Sequence, residues 1–153
     1  MALVYLGLGT NLGDKESNLN NAVKTLEIEV GEIIRLSSFY ASKPWGFESE
    51  NEFLNAAVLL ETKLSPSDLL SKTQEIELNL GRKAKTSKGY KDRLIDIDIL
   101  LYDDLIINLA TLKIPHPLMA ERDFVLKPLA EISPELVHPV LGKRIIEMLE
   151  QKL

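Results

Sequence analysis

The spacing of apolar and polar positions defines most elements of this chain. Residues 2–8 are a short apolar run without helical spacing, and read as a buried strand followed by a turn over 9–14. Leu19, Ala22, Val23, Leu26 and Val30 recur at helical intervals. They predict a helix over 16–30, with Asp14 or Ser17 as its N-cap. A strand is expected over 33–41, then a loop over 43–51 containing Pro44 and Gly46. Residues 53–62 are mostly apolar and read as a central strand. Ser65-Pro66-Ser67-Asp68 is a helix start with proline near the first turn. Leu69, Thr73, Ile76 and Leu80 carry that helix to Gly81. Residues 82–93 show no apolar period, and a loop of that length in a compact domain is usually functional. Residues 94–102 alternate Asp and Ile as a strand, and Asp103-Asp104 predict a hairpin turn into 105–108. Pro115 and Pro117 hold His116 in an extended segment. Helices are expected over 123–132 and 142–153.

The resulting order is β-α-β-β-α-β, then a hairpin strand and C-terminal helices. This is the pattern of an α+β fold of the ferredoxin-like, split βαβ type. Its sheet is mostly antiparallel and flanked by helices, expected mainly on one face. With 153 residues, the chain is read as a single domain over 1–153 around one core. Such a fold hosts many activities and selects none of them.

Composition narrows the classes. There is no cysteine, which removes disulfides and thiolate metal sites. The N-terminal apolar run has no basic leader and is too short to span a bilayer, so a cytoplasmic protein without membrane partners is expected. The net charge of -5 argues against nucleic acid as a partner. Yet six of the 18 basic residues fall within positions 82–93: Arg82, Lys83, Lys85, Lys88, Lys91 and Arg93. A local basic patch on an acidic chain fits a small anionic ligand, or else a solvated polar loop.

The sharpest chemical signal is Asp96-Ile97-Asp98. Residues two apart on a strand face the same side, so both carboxylates project together. Such a pair repels itself unless a cation sits between, and hard oxygen donors without cysteine favour Mg²⁺; the alternative is a strand whose polar face simply meets water. Beside a Lys/Arg-rich loop, this is the equipment for binding a polyphosphate. His116 is one of two histidines, and a neutral imidazole there suits a phosphate contact or a purely structural role. Trp45, the sole tryptophan, with Phe53, Asn55 and Phe124 are candidates for a flat-ring pocket, although most aromatics in a small domain are core residues. Gly7, Gly9 and Gly13 imitate a dinucleotide fingerprint, but the third glycine falls one position late, so a tight turn is the better reading.

Taken together, the motifs resemble the 6-hydroxymethyl-7,8-dihydropterin pyrophosphokinase family over nearly the whole chain. The carriers are Gly9-Thr10-Asn11-Leu12-Gly13, Phe53-Leu54-Asn55-Ala56-Ala57-Val58 and Gln74-Glu75-Ile76-Glu77 with Gly81-Arg82. Further on come Arg93-Leu94-Ile95-Asp96-Ile97-Asp98-Ile99, and Pro115-His116-Pro117 followed by Arg122-Asp123-Phe124. The resemblance implies an enzyme of folate biosynthesis that transfers pyrophosphate from ATP to the pterin hydroxymethyl group, releasing AMP; a monomer is expected separately, because no exposed apolar heptad or edge pattern stands out in the sequence. It implies two Mg²⁺ ions on Asp96 and Asp98. Arg82 and Arg93 would position the transferred group, while Gln74, Lys85, Arg93, His116 and Arg122 contact ATP. Asn55 would read the pterin edge, Phe124 would stack on the ring, and Pro44, Trp45, Phe53 and Tyr90 would line its pocket. The chain departs from the family pattern at Tyr90-Lys91-Asp92, where many members carry Trp-Gly-Pro, and at Lys113, where a small hydroxyl residue also occurs. A phosphohydrolase using the same aspartates, and a non-catalytic binding module, are the rival readings.

Overall fold

The computed structural model describes residues 1–43, 51–81 and 94–152. Its main sheet has the strands β1 (Ala2–Thr10), β2 (Gly31–Leu36), β3 (Tyr40–Ser42), β4 (Phe53–Thr62) and β5 (Asp96–Tyr102). Their order is β2-β4-β1-β5, with β3 also on β4, and every pairing is antiparallel. Helix α1 (Lys15–Glu29) connects β1 to β2, and α2 (Pro66–Gly81) precedes β5. This is the split βαβ arrangement that the element order predicts. Because β1 is flanked by antiparallel strands, the dinucleotide-type reading of its glycines has no structural basis.

The local signals act as expected. Asp14, rather than Ser17, caps α1: its carboxylate accepts the Ser17 N–H at 3.1 Å. Ser65 Oγ accepts the Asp68 N–H at the start of α2. Gly13 takes φ of 67° in the turn after β1, a conformation that glycine adopts without strain.

Five expectations are corrected. The helices lie on both faces of the sheet, and there are two apolar clusters instead of one core. Val4, Leu6 and Leu8 pack against Leu19 and Leu26 of α1 and Ile76 of α2. On the other face, Tyr5, Ala57, Leu59 and Leu100 pack against α3 (Asp123–Ile132) and α4 (Ile145–Glu150). The strand expected over 33–41 is two strands. Between them Ser37 Oγ accepts the Ala57 N–H at 2.8 Å, and the Ser38 N–H donates to Glu131, so side chains displace the ladder there. The turn at Asp103-Asp104 forms, but the segment beyond it does not return along β5. Instead β6 (Ile107–Asn108) pairs with β7 (Lys113–Ile114) in a separate two-stranded sheet. The final helix is shorter than expected. Gly142 has φ of 68° and the His138 N–H donates to the Lys143 carbonyl, so residues 138–143 close a turn before α4 starts.

Candidate active site

The site forms where β1 ends and β5 begins. In the antiparallel register, Gly9 lies opposite Asn55 of β4 on one side and Asp96 of β5 on the other. One step along, Gly7 lies between Ala57 and Asp98. A Cβ on Gly9 would stand 3.3 Å from Asn55 Oδ1 and 3.6 Å from the Phe53 ring. The glycine therefore leaves a bare floor between the amide and ring of β4 and the carboxylates of β5. Phe53 and Asn55, expected at a pterin pocket, are brought together here.

β5 is the edge of the sheet, and along its open side runs a cavity of about 330 Å³. Gln74 and Glu77 of α2, Asp96, Asp98, Lys113 and His116 contribute to its wall. Four sequence-predicted residues, Gln74, Asp96, Asp98 and His116, thus share one space. Edge strands carry backbone N–H groups with no strand to meet. At Ile97, between the two aspartates, that N–H donates to Glu77 Oε2 at 2.7 Å. Burial pushes the Glu77 carboxyl up to about 7, and the charge of Asp96 adds to this against the pull of the Ile97 N–H.

His116 is half-buried. Its Nδ1 accepts the Leu118 N–H at 3.2 Å, which leaves Nε2 to carry the hydrogen of the neutral ring. Burial, then the positive charge of Arg122, lowers its pKa, with Asp96 acting in the opposite sense. At neutral pH His116 is therefore a neutral donor. Arg122 has its guanidinium 3.8 Å from Asp98 and 5.5 Å from the centre of the Phe124 ring. It links the start of α3 to the Asp98 carboxylate of β5. Phe124 itself lines a second cavity of about 240 Å³ with Tyr40, Ser42 and Lys127.

No group of three His, Asp or Glu side chains suited to a metal ion occurs among the described residues. Asp96 and Asp98 nevertheless fit Mg²⁺, which commonly takes one or two protein carboxylates and completes its shell with water and substrate phosphates. The sites expected at Pro44, Trp45, Arg82, Lys83, Lys85, Lys88, Tyr90 and Arg93 lie outside the described residues.

Sequence reasoning did not assign roles to Glu77 and Ser42. Glu77 had a usable signal, since it lies three residues after Gln74 on the same helical face. Ser42 had none, because its contact depends on the register of β3 against β4.

The 7,8-dihydro-6-hydroxymethylpterin-pyrophosphokinase (HPPK) family model matches residues 5–134. A 2-amino-4-hydroxy-6-hydroxymethyldihydropteridine pyrophosphokinase of Porphyromonas gingivalis is 50% identical over 141 residues, covering 91% of this chain and 95% of that one. The enzyme of that name from Aquifex aeolicus is 46% identical over 147 residues, covering 96% and 90%. Among solved structures, HPPK-DHPS of Plasmodium falciparum superposes with a TM-score of 0.81 at 18% identity. The match covers 99% of this chain and 44% of that longer one, and at this identity it speaks for the fold. No described helix is long and apolar enough to cross a membrane. With the family model matched over residues 5–134 and two relatives 50% and 46% identical over most of both chains, this protein belongs to the 7,8-dihydro-6-hydroxymethylpterin-pyrophosphokinase family.

Proposed function

We propose that this chain carries out its family's reaction with the alcohol held over Gly9 and ATP held along the open edge of β5. The reaction is transfer of pyrophosphate from ATP to the hydroxymethyl group of 6-hydroxymethyl-7,8-dihydropterin, giving AMP and the pterin pyrophosphate. The observation that carries the assignment of places is the row Asn55–Gly9–Asp96 across three strands. It sets an amide that can read a heterocycle beside a carboxylate that can hold a cation, with nothing taller than glycine between them.

Asp96 and Asp98 would hold two Mg²⁺ ions, which when bound neutralise phosphate oxygens on either side of an in-line displacement. Gln74 and His116 would bind the nucleotide within the edge cavity, His116 as a neutral donor through Nε2. Arg122 would counter phosphate charge while its contact to Asp98 keeps it near the carboxylates. Asn55 and Phe53 would orient the pterin, with Phe124 against its ring. Arg82, Lys85 and Arg93 would add cationic contacts, and Pro44, Trp45 and Tyr90 would cover the pterin. Holding both substrates in line converts a bimolecular reaction into an effectively intramolecular one, which supplies much of the barrier reduction. The chain would work as a single, monomeric, cytoplasmic pyrophosphokinase domain.

The test is to combine the protein with ATP, Mg²⁺ and 6-hydroxymethyl-7,8-dihydropterin and to measure AMP. AMP formed one-for-one with pterin consumed is the expected outcome; orthophosphate released without pterin would point to a hydrolase. Asp96→Ala should abolish turnover while circular dichroism and melting show an intact fold. Retained turnover at ordinary Mg²⁺ would remove Asp96 from the metal site.

A further inference from the structure

Asn55 is only 3% exposed, and its carboxamide is held from the neighbouring strand. Nδ2 donates to the Tyr40 carbonyl at 3.1 Å and to the Ser42 hydroxyl at 2.7 Å. A primary amide has two N–H donors and one acceptor oxygen, so both donors are used within the protein. Oδ1 faces the space over Gly9, and no hydrogen bond to it is made among the described residues. A carbonyl cannot donate, so a flipped amide would set two acceptors against each other at Tyr40.

The strand supplying these partners is itself fixed. Tyr40 Oη donates to Glu131 at 2.6 Å, and the N–H and hydroxyl of Ser38 both donate to the same carboxylate. Glu131 lies on α3, so β3 is tied to the helix that also carries Phe124.

We infer that Ser42 is a positioning residue for pterin recognition: with the Tyr40 carbonyl, it fixes the Asn55 amide so that only Oδ1 meets the ring. The site thereby selects a heterocycle with an N–H at that position. The 2-amino group and ring N–H of a 2-amino-4-oxopyrimidine edge are donors of this kind. The inference rests on the reading that Asn55 faces the pterin, and goes beyond it in naming what sets the amide's orientation and polarity.

The test compares Ser42→Val with Ser42→Thr in the full chain. Both side chains are β-branched, similar in shape and favoured in strands, and only threonine keeps an acceptor for Asn55. Ser42→Val should raise the KM for the pterin about tenfold, equivalent to about 1.4 kcal/mol of binding. Its KM for ATP and its melting temperature should match those of Ser42→Thr, which should bind the pterin as the parent does. Equal pterin KM values for the two variants would overturn the inference, as would a parallel rise in the KM for ATP. Asn55→Ala separates the two levels of the argument. If it raises the pterin KM while the Ser42 pair stays equal, only the role of Ser42 fails. If it leaves the pterin KM unchanged, the placement of the pterin fails first.

Discussion

Asn55 and Asp96 stand level with each other on opposite sides of Gly9, separated by the width of a single strand. Two interstrand spacings put their backbones about 10 Å apart. That separation suits a bicyclic ring read at one end whose hydroxymethyl arm reacts at the other. The side chain missing at Gly9 is therefore as much a part of the site as the groups around it.

Gly9→Ala should weaken turnover sharply with little loss of stability. The new Cβ meets Asn55 Oδ1 at 3.3 Å and the Phe53 ring at 3.6 Å, so it crowds the place assigned to the substrate. We expect kcat/KM for the pterin to fall by about tenfold or more, since small misplacements of a reacting group are costly. Stability should change by no more than about 1 kcal/mol, because alanine suits extended backbone at least as well as glycine. Steady-state kinetics and urea denaturation together check both parts.

Lys113 is exposed and shares the edge cavity with three carboxylates, Glu77, Asp96 and Asp98. A bound triphosphate would meet this ammonium on an otherwise acidic wall. Lys113→Ala should raise the KM for ATP by roughly threefold to fivefold, the scale of an exposed charge pair worth up to about 1 kcal/mol. The pterin KM should stay constant. The effect should shrink in high salt, as screening requires.

Glu77 predicts a pH dependence of stability. Its folded pKa, raised to about 7, means that the native state keeps a proton which the unfolded chain releases at 4.5. The native state binds more protons across that interval, so the stability contributed by Glu77 is fully present below 4.5 and is lost as pH rises to about 7. Glu77→Gln can still accept the Ile97 N–H but cannot ionise. Its stability, measured by denaturant without Mg²⁺ or nucleotide, should fall less than the parent's between these pH values.

His138 acts with the opposite sign. It is 6% exposed, and its Nδ1 accepts the N–H groups of Val140 and Leu141 at 3.2 and 3.1 Å. Burial lowers its pKa below 6.5. The unfolded chain therefore takes up a proton there before the folded one does, and stability falls as pH drops through 6.5. Asparagine has an uncharged acceptor that suits the same turn. The melting temperature of His138→Asn should fall less than the parent's between pH 7.5 and 5.5; parallel curves would show that His138 does not titrate on unfolding.

The amino-acid sequence by itself determined what depends on neighbours a few residues away. The two-residue period of a strand put Asp96 and Asp98 on one side. Apolar spacing and the caps at Asp14 and Ser65 set α1 and α2. The order of elements led to the sheet, and the motifs led to the family. The burial of both faces was also present in the alternation of β1, where odd-numbered Tyr5 and even-numbered Val4 and Leu6 are all apolar. Only the tertiary structure decided what depends on which strand lies beside which. The pairing of β1 with both β4 and β5 sets Asn55 across Gly9 from Asp96, residues 41 positions apart in the chain. The open edge of β5 gives Glu77 its place on the Ile97 N–H. Competition from Ser37 and Glu131 for backbone groups divides the strand expected over 33–41 and brings Ser42 onto Asn55. Local periodicity tells which way a side chain faces; register and edge position come from hydrogen bonds between distant segments, and no local pattern encodes them.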